Sequence, residues 1–204
     1  MPRTQPERSA ATQLALQTAA RRLWGARGYD AVGTPEIAEA AGVTRGAMYH
    51  QYADKRALFR AVVELVEGDV MRRLVETVEA AAPPEPADAL HAAADAWLEI
   101  ATDPEVRQLV LLDAPRVLGW TEFHDISLGS SLSLTEQLLT EVITAGQLKP
   151  QPTRPLATII LGALDEAAMS IANAEQPDSE RAALRAVIHD VIDGLLVPGA
   201  RAPA

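Results

Sequence analysis

Cysteine is absent from all 204 residues. That excludes disulfides, thiolate zinc sites and cysteine nucleophiles, and it is compatible with a reducing cytoplasm. Only four histidines occur, at positions 50, 91, 124 and 189, and none stands in a zinc-type pair such as H-x-x-x-H. The chain has no G-x-S-x-G elbow and no G-x-x-x-x-G-K-[ST] phosphate loop, and His124-Asp125 alone is a weak catalytic or metal cue. Enzymatic activity is therefore not expected, and no catalytic residue, metal site or cofactor is assigned. Residues 1–12 are polar, without the apolar run of a secretion signal, and no stretch reads as long enough to cross a bilayer. The expectation is a chain that is neither secreted nor membrane-spanning and that works in the cytoplasm. Alternating β-branched runs bounded by turn residues are missing too, which leaves the helix as the one element with strong support.

What is present is 48% hydrophobic and 23% charged, the balance of a globular chain large enough for one large or two small domains. A net charge of −10 argues, as an average, against binding polyphosphate. The average conceals an asymmetry. Residues 1–60 hold nine Arg or Lys against five Asp or Glu, a balance of +4 that leaves the remainder at −14. A basic module facing phosphate and an acidic module facing something else is the pattern implied.

The spacing predicts about nine helices. The first runs from about Ser9 to Arg27, with Leu16, Ala20, Leu23 and Trp24 on a buried stripe and Gly28 as its stop. A short second helix starts at Thr34-Pro35, with Thr34 as its cap, and ends at Gly42; a third starts at Thr44. Asp54 caps a long fourth helix that links two domains. The proline-rich break at 81–86 is a loop. Further helices are expected over about 87–102, 104–117, 126–146, 154–174 and 179–196, with 198–204 as a frayed end. The predicted fold is all-α: a basic three-helix module over 1–60, with a helix-turn-helix motif at 33–52, and a helical bundle over 61–204.

The informative stretch is TPEIAEAAGVTRGAMYHQY from Thr34 to Tyr52, followed by ADKRALF. Ile37, Ala41, Val43, Met48 and Tyr52 are spaced to pack two short helices together, and Gly42 supplies a left-handed turn. The leftover face of the second short helix presents Thr44, Arg45, Gly46, Ala47, Tyr49 and His50, a mixture of hydroxyls, cations and small residues that suits a DNA groove. This segment resembles the N-terminal domain of the tetracycline-repressor (TetR) family. That family's pattern is an IA-x-x-AGV run, then S/T-[KR]-G-x-[LM]-Y-x-HF, then K-x-x-L, and the similarity covers about residues 9–66. The resemblance implies a homodimer that binds palindromic operator DNA through recognition helices about 34 Å apart and is released by a small-molecule effector. It implies major-groove contacts for Arg45 and His50, close backbone approach at Gly46, and phosphate contacts for Thr44, Tyr49, Tyr52 and Lys55, with Thr34, Ala47 and Gln51 in the same surface. Gln51 replaces the family's common histidine and Tyr52 its common phenylalanine, and Tyr52, like Met48, reads as core before contact. Arg3 and Arg8 are weaker candidates for an arm in the flanking minor groove.

The last two long helices carry stripes, Leu156, Ile159, Ile160, Ala163, Ala167 and Ile171 in one and Leu184, Val187, Ile188, Val191 and Leu195 in the other, wide enough to pack inward and across a twofold axis. From these, Leu156, Ile160, Ala163, Ala167, Leu184, Ile188 and Val191 are the candidate dimer interface. Candidate effector contacts are Leu112, Asp113, Arg116, Trp120, Phe123 and His124, in a segment mixing apolar and charged side chains, with Asp165 and Met169 on an apolar helix. The same acids read equally well as capped or salt-bridged structural groups. An alternative keeps the helix-turn-helix but makes the acidic domain a surface for a protein partner; a cavity of a few hundred cubic ångströms in the bundle favours the sensor, a solid core the partner.

Overall fold

A computed structural model describes residues 5–198, so Arg3 and the tail beyond 198 lie outside the described residues. The chain is all-α: α1 (Gln5–Arg27), α2 (Thr34–Ala40), α3 (Arg45–Gln51), α4 (Lys55–Ala81), α5 (Pro86–Ile100), α6 (Pro104–Val106), a π-helical segment (Arg107–Asp113), α7 (Ala114–Leu118), α8 (Trp120–Thr144), α9 (Thr153–Asn173) and α10 (Pro177–Leu195). The segment expected as one helix over 104–117 is thus α-helical at both ends and π-helical between. Pro115 has no N–H and crowds the carbonyl four residues earlier; the widened turn, in which the Ala114 N–H donates to the Leu109 carbonyl, accommodates it. Two helices start earlier than expected. α1 begins at Gln5 and α8 at Trp120, directly after Gly119, whose positive φ of 79° suffices to turn the chain.

The chain divides into two units. The first contains residues 1–67 together with 104–123. Its core is built on Leu16, Ala20, Leu23 and Trp24 of α1, Ile37 and Ala38 of α2, Met48 of α3, and Leu58, Phe59, Val62 and Val63 of α4. Trp24, Tyr29 and Phe59 meet with ring centroids 4.8–5.5 Å apart. The remote segment joins this core through Val106, Leu109, Val110 and Ala114, all buried, and through polar ties. Arg21 donates to both carboxylate oxygens of Glu105 at 2.9 and 2.7 Å. Arg56 donates to the carbonyls of Val117 and Leu118 and to Glu122. Sequence spacing gives no warning of this association.

The second unit contains residues 68–103 and 124–204. Ala87, Leu90 and Ala94 of α5, Leu132, Leu139 and Val142 of α8, Leu156 and Ala157 of α9, and Ile192 of α10 form its main core. Gln147 sits at a junction: its side chain accepts from the Ala87 N–H at 3.0 Å, one of the donors the start of α5 leaves unpaired, and its carbonyl accepts from Val197 at 2.8 Å. On the α5–α10 seam, Arg185 donates two hydrogen bonds to Asp95 at 2.7 and 2.6 Å, and His189 lies 2.8 Å from the same carboxylate. By length and composition α9 could cross a membrane, with a mean hydropathy of 1.4 over 18 residues, which corrects the expectation that no stretch has that length. Its apolarity has another use here, since Leu156, Ala157, Ala167, Ala168 and Ile171 are buried within the unit.

Candidate functional site

The helix-turn-helix is held by a few identifiable bonds. The Ala41 N–H donates to Ile37 at 2.9 Å, Gly42 to Glu39 at 3.0 Å and Val43 to Ala38 at 2.9 Å, closing α2 around Gly42 at φ 67°. Thr44 then caps α3, its Oγ1 accepting from the Ala47 N–H at 3.1 Å. Asp54 caps α4 in the same manner, accepting from Ala57 at 2.7 Å. The Asp54 cap is the one expected, and Thr44 stands where the third helix was expected to start. Thr34 differs from expectation: Gly33 is the cap residue of α2 and Thr34 its first helical residue. Its hydroxyl is therefore released from capping and lies 3.2 Å from the Tyr49 hydroxyl.

With Met48 fully buried, α3 turns Arg45, Gly46, Tyr49 and His50 outward, with Ala47 and Gln51 at the margins. A Cβ placed on Gly46 would meet only the Thr44 hydroxyl at 3.9 Å, so the chain itself leaves the ground above this residue open. The Arg45 guanidinium lies 5.6 Å from the centroid of the Tyr49 ring. Hydrogen bonding from Thr34 first, and from Arg45 second, holds the Tyr49 phenol below its ordinary pKa. Gln51 accepts from the Ser9 hydroxyl at 3.0 Å, which fastens the end of α3 to α1.

Two expected surface groups are turned inward. Tyr52 is 9% exposed; burial raises its pKa, and a hydrogen bond with Gln17 opposes that rise. It is a core residue, because its ring closes the α1–α3 contact. Lys55 donates to the Tyr29 carbonyl at 2.6 Å, and its ammonium lies 3.9 Å from the centre of the Tyr29 ring. Desolvation lowers its pKa. Tyr52 was already a core candidate in the sequence, whereas nothing there marked Tyr29 as the partner of Lys55.

The candidate effector residues are divided between the units. In the first, Asp113 accepts from the Tyr29 N–H at 2.8 Å, from Gln108 at 2.9 Å and from Arg116 at 2.7 Å, and Arg116 also reaches Asp30 at 2.7 Å. These two act as a structural clasp. Leu112 is half-buried, Phe123 is buried, and Trp120 is exposed and edge-on to Phe123. In the second unit, His124 is half-buried, and Asp165 is desolvated enough to push its pKa up to about 6. Met169 lines an open hollow of about 600 Å³ where α9 turns into α10, together with Glu166, Ser170, Asn173 and Glu180.

Of the candidate interface residues, Leu156 and Ala167 are buried in the second unit's own core, and Ile160, Leu184 and Ile188 pack against it. Ala163 and Val191 are exposed. The uncovered apolar face runs through Ile159 (69% exposed), Ala163, Val187 (57%) and Val191 (54%), so it shares only Ala163 and Val191 with the assigned set. Periodicity placed the stripes correctly but could not divide them between inside and outside.

Comparison with known proteins agrees with this architecture. Residues 16–62 match the bacterial regulatory proteins of the tetR family, and residues 87–195 match the tetracyclin repressor-like C-terminal domain. The crystal structure of a TetR-family transcriptional regulator from Pectobacterium atrosepticum superposes with a TM-score of 0.84 at 30% identity, covering 96% of this chain and 98% of that one. The HTH-type transcriptional regulator AcrR of Shigella flexneri is 32% identical over 111 residues, about half of each protein, at 54% of this chain and 51% of AcrR. RolR, solved in complex with resorcinol, shares the fold with a TM-score of 0.73 at 19% identity, covering 98% and 97%. With a helix-turn-helix match at one end and a C-terminal match over more than half its length, this chain belongs to the TetR family of DNA-binding transcriptional regulators, a non-enzymatic family.

Proposed function

We propose that the protein is a cytoplasmic repressor that binds a palindromic operator as a homodimer and is released from it by a small-molecule effector. The observation that carries the reading is the surface of α3. Arg45, Gly46, Tyr49 and His50 stand clear of the core on a helix capped by Thr44, and among the described residues Arg45 has no carboxylate partner to neutralise it. A cation left unpaired beside small residues is what a major groove requires. Arg45 and His50 read base edges; Thr44, Gln51 and Lys55 lie on the side of the phosphates, with Thr34 and Tyr49 between. For Lys55 this requires only part of its capacity, because an ammonium with one hydrogen bond to Tyr29 keeps two N–H groups to give.

The exposed stripe of Ile159, Ala163, Val187 and Val191 is the face on which a second copy of the chain docks, pairing α9 and α10 across a twofold axis. A small-molecule effector is supported by RolR, a fold relative solved in complex with resorcinol. The chain passes between the second unit and the first along α4, again at 103–104, and within α8. The experiment is binding of duplexes from the protein's own promoter region at increasing salt. One palindromic site, bound by a dimer with a steep salt dependence, is the expected result. Weak binding with equal affinity for every duplex refutes it.

A further inference from the structure

Tyr49 is a large aromatic side chain that the fold leaves 42% exposed, on a surface otherwise made of small and polar groups. Resting on the reading above, we propose that Tyr49 is a positioning residue for base recognition: its ring, tied to α2 through Thr34, is the platform that holds the Arg45 guanidinium ready for the groove. Three observations carry this. The two residues are four apart on α3, the spacing that puts side chains on one face, and helical side chains lean toward the N-terminus, so the Tyr49 ring leans back over the turn that holds Arg45. The guanidinium is 5.6 Å from the ring centre, within cation–π range. The hydroxyl at the far end of that ring lies 3.2 Å from the Thr34 hydroxyl, and Thr34 is only 8% exposed at the first turn of α2. One end of the platform is therefore fixed to a buried group of a different helix.

The hydrogen-bond directions are consistent with that role. Arginine can only donate, so its polar approach to the phenol oxygen leaves that oxygen the acceptor, while in the Thr34–Tyr49 pair either hydroxyl can donate. Were the phenol ionised, Thr34 would turn to donate as well, and both neighbours favour that form, in keeping with the lowered pKa. The hydroxyl thus has one partner within the protein, Thr34. What the platform contributes is preorganisation: a free arginine at the first position of a helix samples many rotamers, and each must be given up when it meets a base. Tyr49 restricts them beforehand. A phosphate contact, the role implied for this tyrosine by resemblance, would act independently of Arg45; a platform acts through it.

A double-mutant cycle on the full-length protein separates the two. Operator binding and base preference are measured for the wild type, Arg45→Ala, Tyr49→Phe, Tyr49→Leu and the two Arg45→Ala combinations, with thermal unfolding of each as a control. Tyr49→Leu removes ring and hydroxyl, and weakens operator binding roughly five-fold. It also relaxes base preference at the one position per half-site that Arg45→Ala relaxes. Tyr49→Phe keeps the ring and recovers part of both losses. In the Arg45→Ala background each Tyr49 change costs less than about two-fold. If the Tyr49 losses are the same with and without Arg45, Tyr49 touches DNA on its own account and the platform is refuted. If Arg45→Ala changes base preference nowhere, the recognition role of Arg45 fails first and the platform falls with it.

Discussion

The Asp113 carboxylate accepts the peptide N–H of Tyr29 at 2.8 Å across 84 residues of sequence. Tyr29 in turn gives its carbonyl to Lys55 at 2.6 Å. One residue after α1 thus has both of its backbone groups taken by side chains from distant parts of the first unit. Replacing Asp113 with Ala leaves a half-buried N–H without its partner and takes an acceptor from Gln108 and from Arg116, which keeps Asp30. The expected cost is about 2–4 kcal/mol, measured by denaturant unfolding. Asp113→Asn, which keeps the accepting oxygen, is expected to cost less than half as much.

Gly28 makes the same junction possible. At φ 79° a side chain is strained, and a Cβ there would sit 3.1 Å from the Gln108 amide nitrogen. Gln108 is the flexible end of that contact, so most of the penalty is conformational. Gly28→Ala is predicted to lower stability by about 1–2 kcal/mol. A double change with Gln108→Ala should recover only the smaller, steric part.

Asp165 predicts a pH dependence with a definite sign. Burial raises its pKa from 3.8 to about 6, so the folded state holds a proton that the unfolded state releases first. The contribution is complete below about pH 4, is lost as pH rises toward 6, and is absent at neutrality. Its size is on the order of 3 kcal/mol. Asp165→Asn should therefore unfold at higher temperature than the wild type at pH 7.5, and the gap should close by pH 4. An equal gap at both values would show that the carboxylate is not desolvated.

The stripe on α9 and α10 predicts an oligomer. Ile159 and Val191 are more than half exposed in the single chain, so charge there costs the folded protomer little. Ile159→Glu with Val191→Glu is expected to shift sedimentation from dimer to monomer at micromolar protein while leaving the helical content unchanged. Operator affinity should fall with it, because one half-site is then bound at a time.

How much of this was legible in the sequence varies by kind of residue. Asp54 announces itself as a cap, and Thr44 as a helix start, because capping depends on a few neighbouring backbone groups. Gly42 does so because its turn is local. Thr34 looked like another cap, but Gly33 holds that place and the Thr34 hydroxyl meets Tyr49 instead. Asp113 and Arg116 looked like ligand anchors because an acid and a base stood in an apolar run. Their partners, Tyr29 and Asp30, lie more than 80 residues away, where no local pattern reaches. On α9 and α10 the helical period showed an apolar stripe, yet a stripe wide enough to face two ways does not tell Leu156, which is buried, from Ile159, which is not.

The most direct measurement is the base-by-base affinity of the full-length protein for the palindrome in its own promoter, compared with Arg45→Ala. The account predicts a dimer whose discrimination falls by about 1–3 kcal/mol at a single symmetric position when Arg45 is removed, if that contact is bidentate to guanine, with little change elsewhere. A mutant weakened equally at every position, or a wild type that prefers no sequence, would contradict it.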